Sequence, residues 1–138
     1  MRHRHRTQLR WSDADMLGHL NHARLLGLIE DARMAFLAEA PGGDVSGGRS
    51  ERGVILARLE VDYLAQVRYR VDEVLDVDSW VVRMGGKSMT MRQELQQDGK
   101  VVLRADAFCV MFDYDADASR PIDDDERTFW GSYLEDAS

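Results

Sequence analysis

The chain predicts an α+β fold, with a long antiparallel β-sheet of about five strands and one long α-helix. Three observations carry this expectation. Apolar residues at Leu25, Leu28, Ile29, Ala32, Ala35 and Phe36 recur at three and four positions, the period of a helix. From Gly53 onward the apolar period falls to two, the period of a strand. Two hairpin signals, Gly85-Gly86 and Asp98-Gly99, then cut the second half into segments that must run antiparallel.

Each element follows in order. The opening "RHRHRTQLRW" alternates loosely and lacks helix signals, so a first strand is expected over about 5–11. The helix is expected over about 22–38, with Asn21 as its N-cap. Leu26, Met34 and Leu37 add apolar surface on its other sides, which predicts a helix mostly enclosed by a sheet curved around it. Glu30 and Arg33 stand three apart and can pair on one flank. A breaker-rich loop, Pro41 to Gly48, ends the helix. Strands are then expected over about 53–64, 71–84, 87–97 and 100–113. In the first of these, Ile55, Ala57, Leu59, Val61 and Tyr63 should share one face, with Arg58, Glu60 and Asp62 on the other. Met89, Met91, Gln93 and Leu95 should share a face of the third. An acidic tail, 114–138, closes the chain, and its "DDDERTFWGSYL" fits a short terminal helix. No repeat or linker interrupts the pattern, so residues 1–138 are expected to form a single domain.

Composition narrows the function. The 138 residues carry a net charge of -7, which disfavours nucleic acid as a partner because phosphate neutralisation needs a basic surface. Arginines crowd the N-terminus and aspartates the C-terminus, and both clusters are expected to be solvated surface. Cys109 is the only cysteine, so no internal disulfide forms; within "ADAFCVMF" it reads as a small buried hydrophobe. No apolar run approaches a membrane span, and no signal-peptide pattern opens the chain, so a cytoplasmic protein without a membrane partner is expected.

The chemistry concentrates in "WSDADMLGHLNHAR", Trp11 to Arg24. Asp13-x-Asp15-x-x-Gly18 opens like a calcium loop, but Leu17 and Arg24 occupy later ligand positions. His19 and His22 lack the spacing of a zinc helix and have no thiolate nearby, so no metal is expected. A helix beginning after Asn21 leaves the first N–H groups, near His22 and Ala23, without intrahelical partners. Such a terminus attracts developing negative charge. A carboxylate beside free N–H donors is half of an acyl-transfer site: it attacks a carbonyl or directs water onto it, and the donors receive the charge on the carbonyl oxygen. A carboxylate is a weak nucleophile and base, so an activated acyl group such as a thioester fits better than an amide. On the motif alone, a plain helix cap and an active site both stay open.

The same block resembles the signature of hotdog-fold thioesterases of the 4-hydroxybenzoyl-CoA thioesterase type, which include small bacterial acyl-CoA thioesterases. Arg10, Asp13, Asp15, Gly18, His19, Asn21, Glu30 and Arg33 fill the places of that pattern, and "LEVDYLAQVRY" and "KSM" are further similarities. The resemblance implies a hotdog fold, a long antiparallel sheet wrapped around the helix. It implies hydrolysis of a fatty acyl- or aroyl-CoA thioester without a cofactor, by a homodimer or homotetramer with active sites at the subunit interface. It implies that Asp15 is the nucleophile or general base, and that the His22 backbone N–H polarises the thioester carbonyl. Gly18 would allow close backbone approach, while Asp13, His19 and Asn21 would position substrate or shape the loop. Lys87 and Ser88 would contact coenzyme A. The chain departs from its relatives at Gln66, a common proline position, and at Gly85-Gly86, near which some relatives carry additional phosphate-binding arginines. A non-catalytic module that binds acyl-CoA or acyl carrier protein is the alternative. Acyl carrier protein is acidic like this chain, so acyl-CoA is the preferred partner.

Overall fold

The computed structural model describes residues 1–42 and 52–135. The breaker-rich loop expected from Pro41 to Gly48 therefore lies outside the described residues beyond Gly42. The order of elements is β1 (His3–Gln8), α1 (His22–Ala38), β2 (Arg52–Tyr63), β3 (Val74–Met84), β4 (Ser88–Gln97), β5 (Lys100–Asp113), β6 (Ala118–Ser119) and α2 (Asp124–Gly131). The strands form one antiparallel sheet ordered β1-β3-β4-β5-β2, and β6 pairs with the end of β5. β1 and β2 lie at opposite edges, so the connection through α1 carries the chain from one edge of the sheet to the other.

The architecture is α+β, with differences from expectation in count and boundaries. The described residues hold six strands rather than five, because the tail adds β6, and α2 forms in the tail segment where a short terminal helix was expected. β1 starts and ends earlier than the expected 5–11: at Arg10 the chain leaves the sheet to form a 3-10 turn over Trp11–Asp13. β3 starts at Val74, since Asp72 adopts φ +58° in the preceding turn. At the β4–β5 hairpin, Asp98 and Gly99 both take positive φ, the conformation that Asp-Gly supplies most readily.

The core lies between α1 and one face of the sheet. Leu25, Leu28, Ile29 and Ala32 pack with Leu75, Val77, Leu95, Leu103 and Ala105. Further along, Phe36 packs with Val81, Met89, Met91, Cys109 and Met111. The stripe at three- and four-residue spacing drives this packing, since each fully buried aliphatic side chain contributes about 1.5–3 kcal/mol. Gln93 joins the two layers: its Nε2 donates to the Ile29 carbonyl at 3.0 Å and to Ser79 Oγ at 3.1 Å.

The expectation of a helix enclosed on most sides does not hold within the chain. Ala23, Gly27, Glu30, Asp31, Met34 and Ala38 are exposed along its other flank. Glu30 and Arg33 make no ion pair among the described residues; Arg33 turns inward and donates to Gln93 Oε1 at 3.4 Å.

A bulge changes the faces of β2. The register with β5 shifts between Leu56 and Arg58. Beyond the shift, Leu59 and Val61 pack on the core as the period predicts. Before it the faces invert: Val54 packs inward and Ile55 does not. One extra residue moves every earlier side chain to the opposite face.

Arg2, Arg4, Arg6 and Arg10, and Asp115, Asp117, Asp124 and Asp125 in the tail, are exposed as expected of solvated clusters, yet some charges at both termini pair across the surface and Glu126 is buried. Arg4 donates to Asp78 through Nε at 2.8 Å and Nη2 at 3.1 Å, which holds the Asp78 carboxyl below the usual carboxylate range. Arg2 lies over the Trp80 ring at 3.7 Å. In the tail, Asp123 and Glu126 form a reciprocal capping box that starts α2. Arg120 neutralises the buried Glu126 at 2.6 Å, and Trp130 packs edge-on against Phe36 at 4.9 Å between centroids.

Candidate active site

The polar block before α1 folds as a tight hairpin running into the helix. Ala14 and Leu20 bridge as an antiparallel pair, and the Asp15 N–H donates to the His19 carbonyl at 2.8 Å. The Gly18 N–H closes the turn onto the Asp15 carbonyl at 3.1 Å. Gly18 sits at φ +76°, where a side chain is strained, and no heavy atom of the chain lies within 4 Å of where its Cβ would stand. Within the chain its glycine therefore serves the turn conformation rather than a close contact. Two bonds pin the hairpin to the segment after β2: Leu20 N–H to the Val67 carbonyl and Tyr69 N–H to the Gly18 carbonyl, both 2.9 Å.

This turn fixes Asp15 by one oxygen. Its Oδ1 accepts from the Leu17 N–H at 2.9 Å and the His19 N–H at 3.2 Å. Its Oδ2 has no hydrogen-bond partner among the described residues, and the side chain is exposed. The carboxylate is thus oriented by short local bonds and presents a free oxygen.

The helix begins two residues after the hairpin closes. Asn21 Oδ1 accepts from the Arg24 N–H at 3.0 Å, and its carbonyl accepts from the Leu25 N–H at 3.1 Å. The cap leaves the N–H groups of His22 and Ala23, both exposed residues, without intrahelical acceptors. Partial positive charge collects there. The hairpin therefore delivers an oriented carboxylate and an open helix N-terminus through one continuous stretch of ten residues, 13–22.

The remaining expected residues divide. Asp13 is 2% exposed and both its oxygens are engaged by Arg10: Oδ2 accepts the Arg10 N–H at 2.9 Å and Oδ1 accepts Nη2 at 3.2 Å. It shapes the 3-10 turn that precedes the site. His19 joins through its backbone, bridging to Arg68 and gripping Asp15. Lys87 and Ser88 are not brought to Asp15 by this chain. They sit in the β3–β4 hairpin beside Met89 and Met111, the part of the core that packs on Phe36 near the C-terminal end of α1. A helix of 17 residues, about 25 Å long, lies between the two groups.

Ser88 shares a cleft of about 230 Å³ with Arg83, a residue outside the set expected from the sequence. The signal was a second cation four positions before Lys87, but the register shift between Val81 and Arg83 disrupts the alternation that would have placed it. Cys109 is no nucleophile: burial pushes its thiol up to about 11, against a smaller opposing effect of Arg33. Among the described residues no three His, Cys, Asp or Glu side chains cluster to hold a metal ion, and no helix is long and apolar enough to cross a membrane.

Comparison with known proteins gives one consistent result. The family model of the thioesterase-like superfamily matches residues 9–128. No curated protein matches the chain. Among solved structures, a predicted thioesterase from Bacillus stearothermophilus is 25% identical, with each chain covered over 100% of its length and a TM-score of 0.87. A thioesterase superfamily protein from Jannaschia sp. is 26% identical over 97% of this chain and 94% of that one, with a TM-score of 0.86. A thioesterase from Thermus thermophilus, complexed with coenzyme A and zinc, is 26% identical over 91% of this chain and 94% of that one, with a TM-score of 0.74.

Proposed function

The chain belongs to the thioesterase-like superfamily, and from that premise we propose that it hydrolyses an acyl-CoA thioester to the free acid and coenzyme A, as a hotdog-fold enzyme of the 4-hydroxybenzoyl-CoA thioesterase type. The observation that carries the proposal is Asp15, held by Oδ1 with Oδ2 free, in the hairpin that runs into an open helix N-terminus.

The thioester carbonyl oxygen lies at the start of α1, where the His22 N–H donates to it. Attack on the carbonyl carbon moves negative charge onto that oxygen, and a preorganised N–H stabilises it without reorganisation. The attacking group is Asp15 itself or a water from which Oδ2 takes a proton. The C–S bond then breaks, coenzyme A leaves as the thiolate and takes up a proton, and water supplies the oxygen of the product acid. On the nucleophilic route that water cleaves the acyl-aspartyl anhydride. Gly18 and Asn21 hold the backbone that places these groups, and Asp13 and His19 support the turn.

A dimer or dimer of dimers fits the placement of Lys87 and Ser88. Far from Asp15 in their own chain, they would contact the coenzyme A bound at another subunit's site, with Arg83 as a further cation. The open flank of α1 and the edge strand β2 supply the surface for such assembly.

The test is release of free thiol from a panel of acyl- and aroyl-CoA thioesters. Turnover is expected on at least one, and Asp15→Asn should lower it by at least about a hundredfold, the scale of a lost acid–base or nucleophilic group. Undiminished turnover in Asp15→Asn would remove Asp15 from the mechanism. Tight binding without release from any thioester would replace the hydrolase with a binding module.

A further inference from the structure

A cleft of about 230 Å³ opens between the flank of α1 and strands β2 and β5. Its walls are largely apolar, made by Met34, Leu37, Val54, Leu56 and Cys109. That volume is below a typical whole-ligand pocket and suits one end of a chain.

One group in it is out of keeping with those walls. Arg33 lines the cleft and is only 7% exposed. A guanidinium carries five N–H donors, and the described residues give Arg33 a single acceptor, Gln93 Oε1 at 3.4 Å. No carboxylate of the described residues lies within ion-pair distance of it; Glu30, at the same cleft, is exposed and unpaired with it. None of the Arg33 nitrogens is among the sealed, partnerless atoms of the described residues, so its unused donors reach the cleft. A buried guanidinium facing a cavity, with no counter-ion among the described residues, is a site for an anion, and its planar fork matches a carboxylate best.

Helix geometry joins this cleft to the proposed reaction centre. Arg33 follows His22 by 11 positions, three turns and about 16 Å along the same side of α1. Ala23, Leu26, Glu30, Arg33 and Leu37 succeed one another at three and four positions and so form one stripe from the open N-terminus to the cleft. An acyl chain whose thioester carbonyl sits at His22 and which follows this stripe brings its far end to Arg33.

We propose that the cleft receives the far end of the acyl group and that Arg33 pairs there with a terminal carboxylate, making the preferred substrate the CoA monothioester of a medium-chain dicarboxylic acid. The place of the thioester rests on the hydrolase reading above; the carboxylate site rests on Arg33 alone. Glu30 at the exposed rim is screened by water, whereas the buried Arg33 acts at short range, so the cation decides the sign of the ligand.

The experiment compares dodecanedioyl-CoA with dodecanoyl-CoA, and dodecanedioate with dodecanoate. The native protein should favour the dicarboxylic thioester in kcat/KM by about tenfold or more, the scale of one charge-assisted hydrogen bond. Arg33→Gln should bring the ratio of the two to about one, and Arg33→Lys should keep part of the preference. Equal turnover of both thioesters by the native protein, or a ratio unmoved in Arg33→Gln, overturns the proposal. Should Arg33→Gln fail to fold, Val54→Trp fills the cleft instead and must abolish the same preference. Titration calorimetry with the free acids separates the two readings. Arg33-dependent binding of dodecanedioate without hydrolysis of any thioester retains the carboxylate site and overturns the hydrolase. Hydrolysis with no preference for dodecanedioate over dodecanoate does the reverse.

Discussion

Two backbone N–H groups grip one oxygen of Asp15 and leave the other unoccupied, a different situation from Asp13 two positions earlier. Both residues stand in the same Asp-x-Asp motif, and only their surroundings separate a fully engaged carboxylate from an open one. Asp13 is buried against Arg10; Asp15 sits exposed at a turn. A similar contrast disposes of Cys109. Its thiol is 1% exposed and raised to about 11, so hardly any thiolate forms near neutrality. Iodoacetamide at about pH 8 should therefore leave Cys109 unmodified in the folded protein and alkylate it fully in denaturant. Rapid alkylation of the native chain, read by mass spectrometry, would contradict this burial.

Asn21 links the site to the helix it opens. Its side chain takes the Arg24 N–H and leaves the two earlier N–H groups without intrahelical acceptors. Asn21→Ala should cost about 1 kcal/mol of stability in urea unfolding, the usual loss of an N-cap, and Asn21→Ser should restore most of it. Reduced turnover in Asn21→Ala at unchanged stability would show that the residue meets the substrate rather than caps α1. In β2, the bulge at Leu56 to Arg58 has a comparable effect on position. It turns Val54 and Leu56 toward α1, and those two side chains form a wall of the Arg33 cleft.

The molecule as a whole leaves unfinished surfaces around both sites. Trp11 is 80% exposed, Met16 100% and Leu17 79%, all close in sequence to Asp15, and the α1 flank adds Met34 at 48%. Large apolar side chains exposed on the loop before α1 and on the α1 flank are the kind of surface that a protein partner covers. With Lys87 and Ser88 at the other end of α1, one chain does not assemble the expected coenzyme A contacts around its own Asp15. Sedimentation at micromolar concentration should therefore show a dimer or tetramer. A monomer with full thioesterase activity would show that the site is complete within one chain.

Local sequence was enough to determine the helix, four strands with their hairpins, and the stretch that holds Asp15, Gly18 and Asn21. Those features depend on periodicity, turn residues and capping, which act over a few positions. The exposure of Asp15, the engagement of Asp13, the inverted start of β2 and the separation of Lys87 from Asp15 were decided by tertiary structure. So was the inward turn of Arg33, which the i, i+3 spacing assigned to Glu30. Charge pairing reads from spacing only where both side chains remain in water. At Arg33 the packing of α1 on the sheet took one partner into the core and left the other outside, and only the folded chain records which.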